Sequence, residues 1–153
     1  MNPCPCGHAG DAAAECTCLP DAIERYRGRV SGPVMDRIDL RVHMPRVPYE
    51  QLRDERTREP SAAVRERVCA ARQRMRARGR RTNAELTIAE VKRHCRLDPP
   101  AEALMAEAMR LRRLSARGYH RLLRVARTAA DLEAMERVGA DHLATALLLR
   151  AAP

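Results

Sequence analysis

Two short cysteine pairs open the chain. Cys4-Pro5-Cys6 is followed, nine residues later, by Cys16-Thr17-Cys18. Together they offer four soft sulfur ligands, enough to close the tetrahedron that Zn²⁺ takes in structural sites. One residue between ligands is a tighter spacing than in zinc ribbons, so each pair must bend sharply. Pro5 helps the first bend, Gly7 and Gly10 relieve the loop, and His8 is an alternative to one thiolate. A full set of four thiolates leaves no open position, which makes such a metal structural rather than catalytic. The competing reading is four free surface thiols. Cys69 and Cys95 fall at apolar positions of helical stretches and are expected in the core.

The arginines are the other candidates. Lys92 is the only lysine among 29 basic residues, and the formal net charge is +9. That balance favours phosphate-bearing partners without giving sequence specificity. Arg37 ends a short turn between Asp36 and Asp39; spacing alone favours a solvated arginine paired with one of these acids. Arg117 lies in the first turn of a long helix behind Ser115, where the helix dipole disfavours a cation. A guanidinium beside the free N–H groups of a helix start suits a phosphate; the alternative is a side chain that only reaches water. The run Arg72–Arg81 is the densest positive segment. No aromatic residue is interleaved for base stacking, so a solvated helix end fits it better than a single-strand platform.

These residues sit on a chain built for helices. The aromatic share is 2%, with no Phe and no Trp, which argues against a β-sandwich or barrel. Residues 1–19 form a Cys-, Gly- and Ala-rich loop. A short helix starts at Pro20, and Ser31-Gly32-Pro33 leads into a one-turn helix. Ile38, Leu40 and Val42 alternate with polar residues, the period of one half-exposed strand over 38–43. Helices are predicted at about 61–79, 88–95, 99–113, 115–135 and 139–151, with Ser61 and Ser115 as N-caps. Tyr119, Leu122, Leu123, Ala126 and Ala130 share one stripe, and Leu143, Leu147 and Leu148 another. The fold class is therefore mainly α, a C-terminal helical bundle preceded by a Cys-rich loop and a single short strand. No run approaches the ~18 apolar residues of a membrane span, and no signal peptide is visible. A cytoplasmic, reducing location is the expectation, with metal-bound or core thiols rather than disulfides.

Three stretches carry a resemblance. Met1-Asn2-Pro3-Cys4-Pro5-Cys6-Gly7 with Cys16-x-Cys18, then Tyr26-Arg27-x-Arg29-Val30-Ser31-Gly32-Pro33-x-x-Asp36-Arg37-Ile38-Asp39, and later Leu114-Ser115-Ala116-Arg117-Gly118-Tyr119-His120-Arg121 closely resemble the ComM/YifB family of magnesium-chelatase-like AAA+ ATPases. The resemblance covers nearly the whole chain and corresponds to the C-terminal part of a longer family member. It implies that residues 1–55 are a remnant of the AAA+ core, with Cys4, Cys6, Cys16 and Cys18 as a family feature whose zinc is inferred from the ligand set, and that the strand is left over from an α/β sheet. Residues 56–153 would be the helical lid. It further implies that Asn2 is the sensor-one residue, that Arg37 is an arginine finger acting on a neighbouring subunit's ATP, and that Arg117 is the sensor-two arginine. Mg-ATP as cofactor, hexameric assembly with like or full-length subunits, and action on DNA follow from the same resemblance. A P-loop needs a glycine-rich turn ending in Gly-Lys-Ser/Thr, and Lys92 has no glycine near it. The chain is therefore expected to lack ATPase activity alone. The alternative is an independent zinc-stapled helical module that binds nucleic acid through its arginines.

Overall fold

The computed structural model describes residues 1–11, 13–35, 37–44, 47–53, 59–112 and 114–151. The chain forms two compact units, Met1–Ile38 with His43–Arg56, and Asp39–Val42 with Thr57–Pro153.

The first unit carries the cysteine loop and three short helices: α1 (Pro20–Arg27), α2 (Gly32–Met35) and α3 (Tyr49–Arg53). Pro20 begins α1, where its missing N–H costs nothing, and Asp21 follows it at the positive end of the dipole. From α1, Arg27 donates Nε–H to the Pro3 carbonyl (3.1 Å), tying the helix to the cysteine loop. Tyr26 lies under the Arg29 guanidinium at 5.6 Å.

The second unit is helical: α4 (Ser61–Ala77), one 3₁₀ turn at Asn83–Glu85, α5 (Ile88–His94), α6 (Pro99–Arg112), α7 (Ala116–Leu132) and α8 (Ala140–Ala151). Its core gathers Leu86, Val91 and Cys95, Ala101 and Met105 of α6, Leu122, Leu123, Ala126 and Ala130 of α7, and Leu143 and Leu147 of α8. The predicted stripe of α7 is thus the one buried, with Tyr119 packed at its edge. Ser115 caps α7 by accepting from the Gly118 N–H (3.1 Å). Ser61 does not cap α4; it lies inside the helix behind Pro60. Two expected core residues prove exposed. Leu148 faces outward from α8, and Cys69 is exposed on the same helix as the exposed Val64 and Val68.

The strand predicted over 38–43 does not form. Alternating residues make a strand only against a ladder partner, and no strand is present among the described residues. The segment instead donates the Arg41 N–H to the Leu149 carbonyl of α8 (2.6 Å), and Asp39 pairs with Arg121 of α7. Among the described residues the extended contact is an isolated parallel bridge, Leu97 to Val138, which joins the α5–α6 link to the α7–α8 link.

One buried ionic network crosses the second unit. Asp131 is fully buried and Arg127 nearly so. Arg127 reaches the Asp131 carboxylate through Nε (3.2 Å) and Nη2 (3.0 Å), and also holds the Met135 and Glu136 carbonyls. Arg78 pairs with the same carboxylate, and Asn83 Nδ2 donates to it at 2.8 Å. The chain then leaves α7 through Ala134 at φ 60°, a left-handed conformation that glycine adopts more readily.

Removing Asp131 leaves the buried Arg127 and the half-buried Arg78 without their counter-charge. Asp131→Ala should cost about 3–5 kcal/mol of unfolding free energy, measured by urea denaturation. The start of α5 gives a pH test. Thr87 and Glu90 form a capping box, and Arg80 joins it (Nη2 to Oε1, 2.8 Å). The Thr87 N–H, then Arg80 and the Thr87 hydroxyl, pull the Glu90 carboxyl from 4.5 down to about 2. A depressed carboxyl stabilises the fold above its unfolded pKa and stops doing so as pH falls through its folded one. The melting temperature of Glu90→Gln should therefore lie below wild type at neutral pH and converge on it between about pH 4.5 and 2.

Candidate functional site

The first unit brings the four cysteines together. The Sγ–Sγ separations are 3.4 Å for Cys4–Cys6, 3.7 Å for Cys4–Cys16 and 3.6 Å for Cys6–Cys16. All four sulfurs, Cys18 included, lie within 4.8 Å of one another. The loop bends as the tight spacing demands. The Gly7 N–H closes a turn onto the Cys4 carbonyl (3.1 Å), and Gly7 and Gly10 take φ values of +87° and +84° that a side chain would resist. Cys4 is buried, while the other three are half-buried. His8 is not drawn into the sulfur set; its ring lies 3.8 Å from Asp11.

Hydrogen bonding and burial act unequally on the four thiols. The His8 N–H, with the Cys4 and Cys18 thiols, brings Cys6 down to about 6. Burial opposes ionisation of Cys4, yet the Ala9 N–H, donating to its sulfur at 3.3 Å, and further hydrogen bonds lower it on balance. The Cys18 N–H favours the Cys16 thiolate, but burial and the Cys6 and Cys4 sulfurs outweigh it and raise Cys16. A Cys6 backbone N–H favours the Cys18 thiolate, but the Cys6 thiol, burial and the other sulfurs push Cys18 up to about 12. By themselves, the four sulfurs ionise in part only. A divalent cation at their centre is the partner that lets all four become thiolates. A tetrahedron with metal–sulfur bonds of about 2.3 Å has edges of about 3.8 Å, close to the separations found. The cluster can hold a metal ion.

The other predicted residues are dispersed. Asn2 is exposed ahead of the cysteine loop. Arg37, also exposed, follows α2 and donates Nη1–H to the Pro33 carbonyl (3.3 Å). Its predicted pairing with Asp39 does not occur, because Asp39 is held by Arg121; Asp36 lies outside the described residues. In the second unit, Arg117 stands exposed in the first turn of α7, with no hydrogen bond or ion pair among the described residues. Arg121 and Arg124, one and two turns further on, differ from it. Arg121 grips Asp39, and Arg124 Nε donates to the Leu86 carbonyl (3.1 Å).

Residues 58–150 match the family described as magnesium chelatase, subunit ChlI C-terminal. The chain belongs to that family. Residues 1–52 match the preceding part, magnesium chelatase, subunit ChlI. The chain is 39% identical over 152 residues to the competence protein ComM of Haemophilus influenzae. It is 37% identical over 152 residues to the YifB proteins of Salmonella typhimurium and Escherichia coli. Each alignment takes in 99% of this chain but 30% of the relative, so the chain spans about a third of the length of the curated relatives it matches. Among the described residues no helix is long and apolar enough to cross a membrane.

Sequence reasoning found the cysteines but missed the Arg127–Asp131–Arg78 network. The signal was present: Arg127 lies four residues after Leu123 and four before Asp131, inside the apolar stripe of a magnesium-chelatase-type helix.

Metal content checks the cluster. Chain purified without chelator should carry about one equivalent of metal by mass spectrometry of the metals. The pair Cys4→Ser with Cys16→Ser should lose it, and loop residues 4–18 should lose protection from proteolysis, while the helices of the second unit keep their circular dichroism.

Proposed function

We propose that this chain is the nucleotide-responsive lid and finger segment of a magnesium-chelatase-like AAA+ ATPase of the ComM/YifB type, and that it works in an assembly with like subunits to remodel DNA. The observation that carries the reading is Arg117. A cation in the first turn of a 17-residue helix opposes the dipole at a cost of about 0.3–1 kcal/mol. It has no protein partner among the described residues to offset that cost. A terminal phosphate placed there would receive the guanidinium and the helix dipole together. That is the sensor-two role the family resemblance implies.

Arg37 is the finger in this reading. It lies exposed after a short turn, and its guanidinium is aligned by the Pro33 carbonyl. Such an arginine stabilises negative charge that builds on a phosphoryl group as it passes to water, in the neighbouring subunit's site. Asn2 would orient the attacking water. Mg-ATP supplies the transferable phosphoryl group when bound. These 153 residues contain no glycine-rich loop with its lysine to grip that nucleotide. They sense and respond to phosphate, and the gripping residues come from elsewhere in the assembly. The metal in the cysteine cluster is assigned as Zn²⁺, on the all-sulfur ligand set and the tetrahedral separations. It has no open position for chemistry and serves to order the loop that follows Asn2.

Calorimetry with Mg-ATP separates the parts of this reading. The chain alone should show no tight complex. Added to subunits of a full-length ComM-type relative whose own finger arginine is removed, it should restore ATP turnover. Arg37→Ala should fail to restore it, and Arg117→Ala should lower it by about 10²-fold or more. A tight complex of Mg-ATP with this chain alone would overturn the reading.

A further inference from the structure

The second unit holds a cleft of about 500 Å³ at the opposite end of α7 from Arg117. Arg127 lies ten positions after Arg117, which places the cleft about 15 Å along the helix axis. Three helices end at it: α4 with Arg74 and Arg78, α5 with Arg93 and His94, and α7 with Arg127 and Asp131. Arg96 and the α7–α8 link, with Glu136 and Arg137, complete it.

Helix C-termini attract cations, and part of this charge is explained in that way. Arg74 donates to the Asp131 carbonyl (3.0 Å), Arg127 holds the Met135 and Glu136 carbonyls, and Arg78 and Arg127 share the Asp131 carboxylate. Arg93, Arg96 and Arg137 are not explained. All three are exposed, and their guanidinium groups make no hydrogen bond or ion pair among the described residues. Six guanidinium groups face two carboxylates. Three helix ends at about −0.5 charge each leave the cleft positive by more than two charges. His94 registers the field: burial, then Arg93 and Arg78, lowers its pKa. One more donor, Arg78 Nε, is shielded from solvent with no partner.

We propose that this cleft binds the phosphodiester backbone of a nucleic acid, with Arg93, Arg96 and Arg137 as the phosphate contacts and the Arg127–Asp131–Arg78 network as their rigid floor. Two features select the occupant. Tyr26, Tyr49 and Tyr119 all lie outside the cleft and His94 is the one ring among its lining residues, so guanidinium contact to phosphate outweighs base stacking and binding is indifferent to sequence. The helices present carbonyl ends rather than N–H ends, so no nest of backbone N–H groups is there to cradle a compact triphosphate, and the guanidinium groups alone must attract the anion. Guanidinium groups carried on three different segments, Arg93 on α5, Arg96 on the α5–α6 link and Arg137 on the α7–α8 link, suit singly charged phosphates spaced along a polymer. The cleft is independent of the sensor role of Arg117, and its binding needs no ATP.

The test is fluorescence anisotropy of a labelled 20-nucleotide DNA, single- and double-stranded, titrated with the whole chain at low salt without nucleotide. The triple variant Arg93→Gln, Arg96→Gln, Arg137→Gln should bind about tenfold or more weakly, with a log–log salt slope shallower by about 3. An equal loss of charge at Arg65, Arg76 and Arg110, exposed residues outside the cleft, should change affinity less than threefold. The cleft variant should keep the wild-type melting temperature, since those three side chains hold nothing in place. Equal loss in both variants, or undiminished binding in the cleft variant, overturns the proposal. So does cleft-dependent binding of inorganic triphosphate by a chain that ignores DNA. None of these results depends on whether the chain restores ATP turnover to other subunits.

Discussion

A carboxylate sealed from water must be matched where it stands, and Asp131 imposes that demand on the second unit. Its partners come from α4, the 3₁₀ turn and α7, and Arg127 carries the matching on to the α7–α8 link. A purely apolar contact between these elements would tolerate sliding. Bidentate and amide contacts to one buried charge set their mutual register. The link bends back through Ala134 in a left-handed turn, and its carbonyls are then taken up by Arg127. Helix packing, the chain reversal and the cationic cleft are thus three results of one buried charge.

The two units are stabilised by different means. The second has a continuous apolar core. The first has Cys4 as its buried residue of apolar character, and α1, α2 and α3 bury no residue fully. A loop with so little apolar burial needs another source of order, and four converging sulfurs that can hold a metal offer one. The magnesium-chelatase-like relatives extend well beyond this chain, and exposed Val34, Ile38, Val47 and Leu52 show how little of this unit's own apolar surface it covers.

Much of the helical unit was legible in sequence, because periodicity and caps are local signals. The stripe Leu122, Leu123, Ala126, Ala130 and the Ser115 cap read directly. The cysteine cluster was legible because four residues of one ligand type in two close pairs leave a spacing. What could not be read was whatever depends on a distant partner. Ile38, Leu40 and Val42 have a strand's alternation without a strand's neighbour. Cys69 and Leu148 sit at apolar periods on faces that nothing here covers. The arginine cleft is assembled from helix ends and links, on residues as much as 63 positions apart, Arg74 to Arg137, and no window along the chain displays that convergence.

The four residues 39–42 have a consequence of their own. They belong with the second unit, held by Arg121 and by the Leu149 carbonyl, while the chain on either side of them belongs to the first. The polypeptide therefore passes between its two units three times rather than once. A single cut in the backbone cannot divide such a molecule into two intact halves: severed after residue 56, the helical portion would forfeit a borrowed tether, and the cysteine portion would keep a passage it has no surface to seat.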